Sequence, residues 1–166
     1  MLASILLVSE KNNMKIDEDL SQISAVKDSV ITIGVFDGVH VGHAHLIRSV
    51  IQEATLKGFL SGVVTFKNHP KTILVPEFRA NYISNFEDRV TRLKELGVDL
   101  VVPIAFDLDL ANLPAKQFLS RISRHLSMKI LIVGPDFAMG HNRDGNLATL
   151  PIISRELGFT FEVVDL

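Results

Sequence analysis

Five short runs in this chain are apolar on both faces, and segments of helical period separate them. The runs are Ser29–Phe36, Ser61–Phe66, Val98–Phe106, Lys129–Val133 and Phe159–Val164. A strand without a polar face must be covered on both sides, and parallel strands need long crossovers to return. The intervening segments fit that need. Leu46, Ile47, Val50, Ile51 and Ala54 recur at helical spacing before a stop at Gly58. Ser84 to Glu87 has the form of a capping box opening a helix with Phe86, Val90 and Leu93 on one face, closing at Gly97. Pro114 suits the first turn of a helix that buries Phe118, Leu119, Ile122 and Leu126, and residues 147–157 read as helical despite Pro151. Pro103 belongs near the end of its strand, where no ladder donor is required. The expectation is an α/β fold: a Rossmann-like, doubly wound parallel sheet of about five strands with helices on both faces.

What the chain lacks narrows its chemistry. It has no cysteine, which excludes disulfides, thiolate nucleophiles and Cys-ligated zinc and is compatible with a reducing cytoplasm. Its formal net charge of −2 and pI near 6.3 do not suit a nucleic-acid-binding face. The apolar opening of residues 1–13 has no positive n-region and is too short to span a bilayer; it reads as a frayed lead-in or an edge strand, with a degenerate signal peptide as the lesser alternative. No membrane or nucleic-acid partner is expected.

In open parallel sheets, ligands bind beyond the carboxyl ends of the strands. Three unusually polar or glycine-rich segments fall at such ends: Gly34 to His43, Phe66 to Lys71, and Gly134 to Asn146. The first lies in "GVFDGVHVGHAHLI". Gly34, Gly38 and Gly42 allow a sharp turn and close backbone approach, and the segment runs into a helix whose free amides favour an anion. His40 and His43 stand beside those amides as donors to a polyphosphate. His45, two residues on, points off another face. The spacing is neither the dinucleotide fingerprint nor the P-loop. A zinc site shared by His40 and His43 is the competing reading, disfavoured because the glycines put His40 outside the helix. Asp37 is either a metal ligand or a brace for the turn. In the second segment Asn68, His69, Pro70 and Lys71 can hold a phosphorylated substrate. In the third, Gly134, Gly140 and Gly145 make a permissive loop that presents Asp136, Asn142, Arg143 and Asn146.

"GVFDGVHVGH" resembles the G-x-F-D-G-x-H-x-G-H signature of the HxGH nucleotidyltransferases. "VVTFKNHPK", "LKELGVDLVVPIAFD" and "VGPDFAMGHNRDGN" are similar to stretches of the FAD synthetase family, the adenylyltransferase module of prokaryotic bifunctional riboflavin kinase/FMN adenylyltransferases. Asn68 stands where that family has Pro, Lys71 where it has Arg, and Ala138-Met139 where it more often has Arg-Phe. The resemblance implies transfer of AMP from ATP to FMN, giving FAD and pyrophosphate, with Mg²⁺ accompanying ATP and no metal held by the protein alone. It implies catalytic roles for His40 and His43. It implies ATP contacts from Gly34, Phe36, Asp37, Gly38, Gly42, Gly134, Asp136 and Arg143 as well. Flavin contacts are implied for Asn68, His69, Pro70, Lys71, Asp136, Gly140, Asn142, Gly145 and Asn146. The family also carries an S-S-T-x-x-R motif and a riboflavin kinase barrel, both falling after the position of Leu166. The expectation is therefore a lead-in at 1–28 and a C-terminally incomplete nucleotidyltransferase domain at 29–166. Riboflavin kinase activity, if any, comes from a missing C-terminal domain or another protein, and the enzyme is cytoplasmic. Two alternatives stand: a related transferase with another phosphorylated acceptor, or a nucleotide- or flavin-binding fragment without turnover.

Overall fold

The apolar runs form strands whose successive side chains enter two separate cores. A computed structural model of the chain describes residues 14–79, 81 and 85–166. Strands β1 (Ser29–Ile33), β2 (Leu60–Phe66), β3 (Leu100–Ile104), β4 (Met128–Val133) and β7 (Thr160–Val163) make one parallel sheet in the order β3-β2-β1-β4-β7. Along β4, Ile130 and Ile132 face one core while Leu131 and Val133 face the other. Strands β1 to β4 are thus apolar on both sides because both sides are covered, whereas the edge strand β7 leaves Thr160 and Glu162 exposed.

Helices α2 (Val41–Lys57) and α4 (Phe86–Glu95) cover one face; α1 (Lys15–Ser21), α6 (Ala115–Leu126) and α7 (Leu150–Leu157) cover the other. The fold is the doubly wound α/β architecture that the strand pattern predicts. Local signals hold in kind and shift in detail. Gly58 ends α2 with a φ of 68°, and Pro151 sits in the first turn of α7. Pro103 lies in β3, an edge strand. α4 is capped by Asn85, whose side chain accepts from the Asp88 amide at 2.7 Å, so its cap lies one residue later than the Ser84–Glu87 box; Ser84 is outside the described residues. The apolar opening of residues 1–13 is outside them too.

Three helices and a small ribbon were not legible in the sequence pattern. α1 packs Ile16 and Leu20 into the core below β3. Single-turn helices α3 (Lys71–Leu74) and α5 (Leu108–Ala111) flank the ends of β2 and β3. A two-stranded antiparallel ribbon, β5 (Ala138–Met139) with β6 (Gly145–Asn146), folds the third segment back on itself.

Candidate active site

The chain reverses its crossover direction between β1 and β4, which puts the sheet's switch point there. The turn after β1 is built largely from backbone. Phe36 takes a left-handed φ of 54° and folds its ring back over Gly34, where a Cβ would lie 2.8 Å from the ring tip. That ring is 3 % exposed, so the glycine is required by packing. Gly38 (φ 72°) and Val39 (φ 42°) complete the reversal, and His40 becomes the N-terminal cap of α2. No side chain caps that helix and no acidic residue occupies its first turn, so its first amides remain available to an anion.

His40 and His43 stack, their ring centroids 3.6 Å apart and planes 27° from parallel, and Phe36 meets His43 edge-on at 5.2 Å. The Nδ1 of His43 is enclosed and has no hydrogen-bond partner. Burial, aided by the adjacent His40 and opposed by Asp37, lowers the His43 pKa to about 4. With no anion beside it the ring is therefore neutral at pH 7, and since Nδ1 is enclosed its Nε2 is the nitrogen left to meet a ligand. Across the switch point, Gly134 follows β4. The Leu166 side chain lies between Gly42 and Gly134, 3.7 Å and 3.0 Å from where their Cβ atoms would stand.

The end of β2 lies beside this turn. Burial lowers the pKa of His69, Lys71 and Arg89 act in the same direction, and Asp37 opposes them. Asp37 thus acts on an imidazole in each of the first two segments. The His69 Nδ1 accepts from the Lys71 amide at 3.1 Å, which leaves Nε2 to carry the proton of the neutral ring. Arg89, 1 % exposed, donates to the Phe66 carbonyl at the end of β2.

A cavity of about 300 Å³ opens between the second and third segments. Its walls are mainly apolar: Val35, Phe66, Leu74, Phe106, Leu110, Leu113, Phe118 and Met139. His69, Pro70, Lys71, Gly140 and Arg143 line it too, with Ala111 and Ala138 filling the remainder. A shallower depression outside it is lined by Asp136, Phe137, Asn146 and Arg143, so Arg143 borders both spaces.

Not every candidate side chain faces a cavity. The Asn68 carboxamide is occupied by the backbone of Phe106. Asn146 is occupied inside its own loop, donating to the Arg143 carbonyl and accepting from the Ala148 amide. Gly145 is buried against Ala115, where a Cβ would come within 2.4 Å of the Ala115 Cβ. Asn142 is exposed at a left-handed φ of 52°, with its side chain against His141. Asp136 lies in the shallow depression and not in the apolar cavity.

Sequence reading missed the aromatic walls Phe66, Phe106 and Phe118, because a phenylalanine at a strand end or helix face reads as ordinary core. It also missed Asp144, which accepts from the Ala115 amide at 3.1 Å and docks the ribbon on the start of α6. Among the described residues, no group of three or more His, Asp or Glu could hold a metal ion. No helix among them is long and apolar enough to cross a membrane.

Comparison with known proteins gives this arrangement relatives. The bifunctional riboflavin kinase/FMN adenylyltransferase of Escherichia coli K12 is 34% identical over 131 residues, 78% of this chain and 42% of that protein. Its namesakes in Haemophilus influenzae and Bacillus subtilis are each 32% identical, over 80% and 74% of this chain and 43% and 39% of their own length. The chain thus spans less than half the length of the curated relatives it matches. A solved structure titled "Crystal Structure of Macrolide-efflux Protein from Streptococcus pneumoniae" superposes with a TM-score of 0.78 at 26% identity, covering 92% of this chain and 48% of that one. Residues 22–166 match the family described as FAD synthetase, and the chain belongs to that family.

Proposed function

We propose that the chain is an FMN adenylyltransferase, transferring AMP from MgATP to FMN to give FAD and pyrophosphate. The observation that carries this reading is a juxtaposition. A stacked pair of imidazoles at an uncapped helix start stands at the switch point, beside an apolar cavity with His69, Lys71 and Arg143 on its lining. The first suits a triphosphate; the second suits a flat aromatic ring system that carries a phosphate.

In the reaction an FMN phosphate oxygen attacks the α-phosphorus of ATP. The new P–O bond forms as the bond from the α-phosphorus to the bridging oxygen breaks, and its electron pair leaves with pyrophosphate. No covalent enzyme intermediate is needed, so catalysis is positioning plus stabilisation of negative charge. The α2 amides and the Nε2–H of neutral His43 donate to the phosphate oxygens, while His40 stacks on His43 and fixes its plane. Gly34, Phe36, Gly38 and Gly42 shape the turn; Gly134 faces it across the switch point. Mg²⁺ would accompany ATP and neutralise charge on its phosphates, and Asp37 is the carboxylate of the β1 turn that would approach it. His69, Pro70, Lys71 and Gly140 bound the flavin, and Arg143 reaches the space between the two substrates. A cytoplasmic location goes with this reading, since both substrates are phosphorylated.

The test is direct. Incubation with FMN, ATP and Mg²⁺ should yield FAD and pyrophosphate in equal amounts. His43→Ala should slow this by about 10²- to 10³-fold, the usual cost of removing a donor from a developing charge. Failure of the unsubstituted chain to bind either FMN or ATP would sink the reading.

A further inference from the structure

The β2–β3 ladder does not end where the strands end. Phe66 pairs with Ile104, and the Lys67 amide donates to the Ile104 carbonyl at 2.9 Å. One step further, the Asn68 side chain takes over from the backbone. Its Nδ2 donates to the Phe106 carbonyl at 2.8 Å, and its Oδ1 accepts from the Phe106 amide at 2.9 Å. A carboxamide has the donor and acceptor of a peptide group, so Asn68 supplies Phe106 with the pair of bonds a neighbouring strand would give. Only one orientation of the amide satisfies both bonds. On the same stretch, Asp19 accepts from the Ala105 amide at 2.9 Å and pairs with Lys67 at 2.8 Å.

The clamped residue forms a wall of the apolar cavity. The Phe106 ring stands edge-on to Phe66, centroids 5.6 Å apart and planes at 89°, and both rings line the space. Beyond Ile104 the chain has left the sheet, and α5 begins only at Leu108. Without the clamp, Phe106 would sit on a short connection with no partner for its amide and carbonyl. Its ring angle, and with it the width of the cavity, would vary.

We infer that Asn68 is a positioning residue for the acceptor substrate. It does not touch the flavin; it holds Phe106 at the angle that makes the cavity a slot for a planar ring system. This inference rests on the FMN adenylyltransferase reading and names how that same site selects its ligand.

The test begins with FMN titration of the unsubstituted chain, followed by quenching of flavin fluorescence. No binding there overturns the FMN reading and the role of Asn68 with it. Where FMN binds, Asn68→Ala should raise its Kd about tenfold, leave the Kd for ATP within about twofold, and speed hydrogen exchange at the Phe106 amide at least tenfold. In a Phe106→Leu background the same substitution should raise the FMN Kd less than about threefold, because the ring it positions is gone. An unchanged FMN Kd in Asn68→Ala overturns the inference while the FMN reading stands. An undiminished tenfold effect in the Phe106→Leu background also overturns it, since Asn68 would then meet the flavin itself. Equal losses for FMN and ATP would show a general structural role and overturn it as well.

Discussion

The turn after β1 and the loop after β4 are similar in composition and differ in construction. Each is short, glycine-rich and strained: Phe36, Gly38 and Val39 take positive φ in the first, Gly140, Asn142 and Arg143 in the second. In the first, the backbone itself forms the candidate site. Its glycines and left-handed residues deliver the chain to the start of α2, and His40 and His43 stand where the helix amides open. In the second, much of the same composition goes into holding the loop. Gly140 and Gly145 exist because Ala115 presses on them, Asp144 ties the ribbon to α6, and Asn146 closes its own turn. Similar residues can thus mark a ligand's approach or a neighbour's.

Two alanine substitutions separate those purposes. Gly140→Ala should be the more costly. Its φ is 81°, and a Cβ there would lie 2.2 Å from the Asp144 carboxylate and 2.7 Å from the Ala115 backbone amide. Overpacking and left-handed strain together suggest a loss of about 3 kcal/mol of stability, with FMN binding weakened more than ATP binding. Gly34→Ala meets a side chain rather than backbone, the buried Phe36 ring at 2.8 Å. It should cost about 1–3 kcal/mol and fall chiefly on ATP affinity, through the turn that Phe36 shapes. Thermal unfolding and separate titrations with the two ligands read both effects. If each substitution weakens both ligands equally, the two segments act as one unit and the contrast fails.

The same contrast explains what the sequence made legible. Strand and helix order could be read because each strand's apolar faces and each helix's period are set locally, down to the stop at Gly58 and the burial of Phe118, Leu119, Ile122 and Leu126. The β1 turn could be read because a backbone-built site imposes residue types at fixed spacing. The apolar cavity could not. Its walls come from β2, α3, the connection after β3, α5, α6 and β5, and Phe66, Phe106 and Phe118 carry no local mark of facing a space rather than a core. Asn68 was legible as polar and available, yet tertiary structure turned it onto Phe106. A side chain's partner is decided by what the fold brings within hydrogen-bond reach, and spacing along the chain does not encode that.

Protonation distinguishes the backbone-built region in a second way. His43 titrates at about 4 in the folded chain against 6.5 in an unfolded one, so between those values the unfolded state binds more protons. The stability tied to its neutral form is complete above pH 6.5 and is lost as pH falls toward 4. His69, also lowered, acts with the same sign. Urea midpoints should therefore drop between pH 6.5 and 4, and His43→Gln should flatten that drop. A proton-resonance titration of His43 with a midpoint near 6.5 would mean that the ring is not enclosed as described, and that it meets phosphates as a cation.

The smallest expected effect probes how far the β1 turn supports itself. Arg92 reaches from α4 to donate to the Gly38 carbonyl at 3.3 Å, in an exposed position. Such a long, solvated bond contributes little, because water competes for both groups and the side chain loses freedom in making it. If Phe36 packing and the left-handed backbone at Gly38 and Val39 hold the turn, Arg92→Ala should change stability by less than about 0.5 kcal/mol and the Kd for ATP less than twofold. Calorimetric titration with ATP measures this directly. A tenfold loss would show that the turn needs an outside brace, as the β4 loop needs Ala115 and Asp144, and the two regions would then be built alike.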